Sequence, residues 1–178
     1  MIKTATIPPL VKKSETEKIP IIGKTVTLEE FNSILSRVKG VRVPLYYIKG
    51  YTKEHMEELC FHAYKIFIEQ KFKEAILFFR TMILFNHLDM RGWIGIAGCY
   101  QSLKNYKEAI KYYLLAAEVD SNDPRPFFGV SRCYMELNDN FKALDSMEKA
   151  LLLCGDNPQY DQIKKNEGML YEAFKTLI

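Results

Sequence analysis

The feature that most constrains this chain is a repeat with a period of 34 residues. Ala75, Ala109 and Ala143 keep that spacing, and so do Met82, Ala116 and Ala150. Leu59, Trp93 and Phe127 form a third series, Ile66, Tyr100 and Tyr134 a fourth, and Ala63, Ala97 and Ser131 a fifth. Five registers that agree over three copies, about 56–89, 90–123 and 124–157, describe one supersecondary unit used three times. The pattern is a bulky, a small and an aromatic residue on one helix, then alanine, a bulky residue and a second small one on the next, with Ile66 and Met82 standing at the aromatic and the last small position of the first copy. The small residues let the two helices approach, while Phe79, Tyr113 and Met147 fill the remaining space. A helix pair of this size cannot bury its apolar face alone, so the copies must stack. The expected fold is an all-α superhelix.

Helix ends follow the same period. Asp123-Pro124 and Asn157-Pro158 place a proline at the first turn of a helix, where its missing N–H costs nothing. Asn105 and Asn138-Asp139 supply turns inside the copies. The third copy has Asn140 where the others have Phe72 and Tyr106, with Phe141 displaced by one, so local repacking is expected there. The flanks complete a four-part layout. Residues 1–26, with Pro8, Pro9 and Pro20, read as a mobile arm. Residues 27–53 read as a helix and a connector: Thr27-Leu28-Glu29-Glu30 is a capping box, Leu28, Phe31, Leu35 and Val38 share a face, and Gly40 stops the helix. The repeats occupy 54–157, and 158–178 reads as a capping helix with Ile163, Leu170 and Phe174 apolar.

Composition narrows the function. A chain of 178 residues that is 48% hydrophobic buries enough surface to fold without metal or disulfide. Its net charge of +3 is too small to point to nucleic acid. Residues 1–53 hold 10 Lys/Arg against 4 Asp/Glu and the remainder 15 against 18, a basic arm ahead of a mildly acidic body. The uncharged stretch Gly92 to Tyr100 is half the length of a membrane span, and the N-terminus runs into Pro8-Pro9 without the apolar core of a secretory signal. Cys60, Cys99, Cys133 and Cys154 show no CxxC pairing and fall on apolar faces, which suggests reduced thiols and a cytosolic setting.

Enzyme chemistry is poorly served, and no catalytic, cofactor or metal site is expected. His55, Cys60 and His62 are spaced so that they do not share one helical face, which argues against zinc. His62, three residues after Leu59, reads as a neutral core histidine. Gly92, Gly95 and Gly98 lie inside a helix and do not form a dinucleotide fingerprint. Their glycines answer either to tight helix contact or, at Gly98, to the close approach of a ligand backbone.

The period and residue types resemble the tetratricopeptide repeat, whose first helices line a concave groove. Stepping along those helices selects Glu57, Cys60, Tyr64 and Phe67, then Arg91, Ile94, Gly98 and Gln101, then Arg125, Phe128, Arg132 and Met135. An apolar and aromatic strip with three arginines suits an extended peptide: rings fill anchor pockets and guanidinium groups bond carbonyls or carboxylates. The competing reading is that some of these positions only pack helix on helix.

Three stretches carry a closer resemblance: Leu59-Cys60-Phe61-His62-Ala63-Tyr64, Asp89-Met90-Arg91 with the glycine-rich run to Cys99, and Asp123-Pro124-Arg125-Pro126-Phe127-Phe128. Over about 54–175 the chain is similar to the class II chaperones of bacterial type III secretion. The resemblance implies a cytoplasmic bacterial chaperone, without ATPase activity, that holds an extended N-terminal segment of one or two hydrophobic translocator proteins in its groove. It also implies a homodimer through Leu28, Phe31, Leu35 and Val38, and a transcription regulator as a possible further partner. Nucleic acid and stable membrane insertion are not expected. The alternative is a generic tetratricopeptide adaptor or regulatory scaffold for another peptide. A clamp for an acidic C-terminus would need lysine and asparagine where Glu57, Cys60 and Tyr64 stand.

Overall fold

The computed structural model describes residues 18–21, 24–27, Ser33 and 51–176. It has seven long helices among them: α1 (Lys53–Ile68), α2 (Phe72–Phe85), α3 (Met90–Ser102), α4 (Tyr106–Val119), α5 (Arg125–Glu136), α6 (Asn140–Cys154) and α7 (Asp161–Lys175). Each helix packs on the next, and the first helices of successive pairs also touch, α1 on α3 and α3 on α5. This is the all-α repeat stack that the 34-residue period predicts.

The small residues explain how the helices come so close. Ala63, Ala75, Ala97, Ala109, Ala116, Ala143 and Ala150 have no exposed surface, and neither does Ser131. A serine in that position must satisfy its hydroxyl, and Ser131 does so by donating to the Ala143 carbonyl at 2.8 Å, across to the partner helix. The larger core residues divide into three clusters, two around the junctions of successive pairs and a third between the last pair and α7.

Both ends of the helices repeat as well. Asp89, Asp123 and Asn157 stand 34 apart, and each accepts the backbone N–H two residues on, at 3.0, 2.8 and 3.0 Å. Pro158 opens a short 3-10 turn, Pro158–Tyr160, ahead of α7. Inside each pair the chain turns through one left-handed residue, Gln70, Lys104 and Asn138, at φ of 60°, 59° and 58°. Asparagine suits that conformation; for glutamine and lysine it costs about 1–2 kcal/mol. In the second copy the turn is therefore made by Lys104, and the expected Asn105 is the residue that precedes α4, with no side-chain cap. Asp139 caps α6 by accepting the Lys142 N–H at 3.3 Å.

Several expectations are corrected. Part of the segment read as a mobile arm, β1 (Lys18–Ile21), pairs antiparallel with β2 (Lys24–Thr27), Lys18 opposite Thr27, and β1 lies against α2. Both strands are rich in β-branched residues, which favour extended backbone. Thr27 thus ends a strand, while Leu28, Phe31, Leu35, Val38 and Gly40 lie outside the described residues. A capping box does open α1: Thr52 Oγ1 accepts the His55 N–H at 3.5 Å, and His55 Nδ1 accepts the Thr52 N–H at 3.1 Å. His62 is exposed, not core. Its 34-residue counterparts, Ile96 and Val130, are buried against the preceding helix pair, and among the described residues α1 has none. Phe141 points to solvent at 83% exposure, so the displaced ring does not refill the Phe72 and Tyr106 position. On α7, Leu170 is exposed, and Tyr171 and Ile163 make the apolar contact with the third cluster.

Candidate functional site: the groove of the first helices

Helix α3 has two working faces, set three residues apart. On one face, a Cβ added at Gly95 would stand 2.3 Å from the Phe79 ring of α2. One period later, a Cβ at Gly129 on α5 would stand 2.4 Å from the Tyr113 ring of α4. Phe79 and Tyr113 are themselves 34 apart, so each junction between pairs is an aromatic ring laid flat on a glycine. Gly92 belongs to the same tight face, 2.9 Å from Ile83. Gly98 does not: a Cβ there meets only the Phe67 ring, at an ordinary 3.6 Å. Close packing therefore accounts for Gly92 and Gly95 and leaves Gly98 without a packing reason.

Gly98 sits on the groove stripe. Tyr64 of α1 is 37% exposed and stands edge-on to Phe79 with centroids 5.2 Å apart. Phe67, half-buried, is edge-on to Phe72 at 5.4 Å. Ile94, Gly98 and Gln101 are half-buried beside them, and Gln101 Oε1 accepts the Tyr113 hydroxyl at 2.8 Å. This half of the stripe is an apolar, ring-lined strip open to one side. Two positions of the stripe belong instead to the core. Cys60 is buried, and desolvation pushes its thiol pKa up. Phe128 is 1% exposed in the third cluster, against which Ile163 and Tyr171 of α7 pack, so it offers no face to a peptide. Met135 is half-buried at the edge of the same cluster.

The three arginines already hold carboxylates of this chain, and two of them, Arg91 and Arg132, tie one helix to another. Arg91 bonds both Glu57 oxygens, at 2.7 and 2.8 Å, tying α3 to α1, and also Asp89 at 2.7 Å. The bond from Arg91 holds the Glu57 carboxyl below its ordinary pKa, and the two carboxylates hold Arg91 in its charged form. Arg125 bonds Asp123 at 2.6 Å, and Arg132 bonds Glu167 of α7. Glu57, Arg91 and Arg125 share one register, so the carboxylate that Arg91 finds in the preceding copy is replaced, for Arg125, by an arginine.

At the α5–α7 end the groove widens into a pocket of about 450 Å³ that is open to solvent, lined by Arg125 and Arg132 on one side and by Gln159, Tyr160, Gln162, Ile163, Asn166 and Glu167 on the other. The sequence reading missed these polar residues because it followed only the apolar positions of the last helix. The 3–4 spacing of Gln159, Gln162 and Asn166 was the available signal. All four cysteines are free and buried, and no helix among the described residues is long and apolar enough to cross a membrane.

Comparison with known proteins agrees with this geometry. A tetratricopeptide-repeat family model matches residues 91–123, the second copy. No curated protein matches the chain by sequence. Among solved structures, the translocator chaperone SycD of Yersinia enterocolitica superposes with a TM-score of 0.71 at 21% identity, covering 74% of this chain and 98% of its own. PcrH, known from Pseudomonas aeruginosa, is 26% identical in its complex with the chaperone-binding region of PopD. That structure has a TM-score of 0.66 and covers 71% of this chain and 96% of PcrH. The complex of PcrH with the corresponding region of PopB gives 0.64, at 26% identity over 67% of this chain and 97% of PcrH. The chain is a tetratricopeptide-repeat superhelix. Within that class it has the architecture of the translocator chaperones of type III secretion.

Proposed function

We propose that this protein is a type III secretion chaperone, which holds an extended N-terminal segment of a hydrophobic translocator along its groove and keeps it soluble before export. The observation that carries the reading is the match, across nearly the whole of their lengths, to chaperones solved with the chaperone-binding regions of PopD and PopB. The open strip of Tyr64, Phe67, Ile94 and Gly98 supports it, since rings beside a residue without a side chain suit a peptide backbone. In this reading 54–157 is the binding body, 158–178 its cap, and the protein is a cytoplasmic bacterial binding protein and not an enzyme. A homodimer through Leu28, Phe31, Leu35 and Val38 belongs to the proposal, and light scattering of their aspartate variants tests it. A transcription regulator bound by the client-free chaperone is a further partner in it, tested by capture with and without client.

The direct test is co-purification from cells of its own organism, followed by proteolysis of the complex and mass spectrometry of the protected segment. Tyr64→Ala and Phe67→Ala are each expected to weaken capture by about 1 kcal/mol or more, the scale of an interface hot spot, with little change in melting temperature. Equal losses of binding and stability would instead make these rings part of the core.

A further inference from the structure

The pocket between α5 and α7 differs in chemistry from the apolar half of the groove. We propose that it is a second subsite, which grips the main chain of the bound segment through its amide groups and not through its side chains. This rests on the chaperone reading above.

Arg125 and Arg132 each keep 46% of their side-chain surface exposed. Arg125 gives Nε and Nη2 to Asp123, and Arg132 gives Nη2 to Glu167, so the Nη1 groups of both remain as donors for a carbonyl oxygen. Glu167 is the complement. It is nine-tenths buried, and its second oxygen, Oε2, meets no hydrogen-bond donor among the described residues. A buried carboxylate oxygen left in that state costs about 1–3 kcal/mol, and the carboxylate is held there by its ion pair with Arg132. On the rim, Gln162 Nε2 donates to Asn166 Oδ1 at 3.0 Å. That bond leaves the Gln162 carbonyl as an acceptor and the Asn166 amide as a donor. The pocket therefore offers donors and acceptors side by side, and two guanidinium groups are balanced by Asp123 and Glu167.

Asp123 and Glu167 already neutralise the two arginines, so an acidic side chain finds no uncompensated cation there and a basic one no uncompensated anion. An apolar anchor would leave both the free guanidinium donors and the Gln162 carbonyl unmet. An extended main chain presents C=O and N–H in alternation and meets both. The expected subsite is indifferent to client side chains, which suits a groove whose specificity lies at Tyr64 and Phe67.

The probe is the protease-protected translocator segment, made as a synthetic peptide and bound to the full chain. Its amides are N-methylated one at a time, and the corresponding side chains are separately replaced by alanine. At residues over the pocket, N-methylation is expected to weaken binding roughly 2- to 10-fold, the range of one net hydrogen bond, while alanine changes it little. The exposed pair Gln162→Ala and Asn166→Ala, which braces no other helix, is expected to weaken the parent peptide similarly, leave the melting temperature unchanged, and abolish the N-methyl effect. Unaltered binding by the double variant, or sensitivity to alanine without sensitivity to N-methylation, would overturn the subsite. Failure to capture any such segment would overturn the chaperone reading itself, and the subsite with it.

Discussion

Gly95 and Gly98 lie one turn apart on the same helix, are the same residue, and do opposite things. Gly95 faces the preceding helix pair, where the Phe79 ring occupies the space a side chain would need. Gly98 faces the groove, where a methyl group would fit against Phe67 without displacing anything. The junction face is built once and copied one period later as Tyr113 on Gly129. The groove face is not copied: its counterparts in the 34-residue register are Tyr64 in the first copy and Arg132 in the third. A repeat protein keeps what its copies need to stack and varies what its ligand meets. On this helix three residues at about 100° each fall short of a full turn, so the two positions stand about 60° apart around the axis.

The largest effect expected to break the junction face is alkaline pH. Burial pushes Cys99 and Tyr113 up to about 12 and Cys133 to about 11, from ordinary values of 9.0, 10.0 and 9.0. All three pack at the junctions, Cys99 and Cys133 one period apart. In each case the folded pKa lies above the unfolded one, so the unfolded chain releases protons first. Stability is full below about pH 9 and is lost as pH rises through 11 to 12. Urea titrations at pH 8 and pH 10.5 should show a lower midpoint at the higher pH; equal midpoints would mean that these groups titrate freely in the native state.

Next in size is Gly95→Ala, with Gly129→Ala as its repeat. Each forces an aromatic ring out of its place and should destabilise by about 1–3 kcal/mol in chemical denaturation. If Gly95→Ala proves neutral, the ring has somewhere else to go and the junction is looser than its geometry. The smallest effect has the opposite sign. Gly98→Ala should stabilise the chain by up to about 0.8–1 kcal/mol, the helix-propensity difference, because nothing crowds the new methyl group. The same substitution should weaken client binding if the peptide backbone passes over this position. A variant that is more stable and binds as before would make Gly98 a mere tolerated glycine.

Much of the fold was legible because stacking leaves a periodic trace. The alanines at 75, 109 and 143 and the helix-starting Asp89, Asp123 and Asn157 recur at one spacing, since every junction solves the same packing problem. The exceptions were at the edges. His62 looked like core because it follows Leu59 by three residues, yet burial at that position, as at Ile96 and Val130, needs a preceding helix pair. Phe128 looked like groove by its step along α5, and it is buried in the cluster against which α7 packs. Arginines at 91, 125 and 132 were recognisable as groove residues, but no spacing announces that Arg91 will hold Glu57, 34 residues away, or Arg132 Glu167, 35 residues away.

By itself, then, the sequence determined the repeat, its helix pairs and the stripe that their first helices present, because these follow from local periodicity and the size of side chains. Only the tertiary structure decided which members of that stripe are open and which are buried, that Arg91 and Arg132 tie helices together, and that an open pocket carrying charged and amide groups ends the groove. Those outcomes depend on contacts between elements far apart in the chain, and on where the stack begins and stops. A repeating pattern looks the same at its ends as in its middle, but a side chain there has a neighbour on one side only.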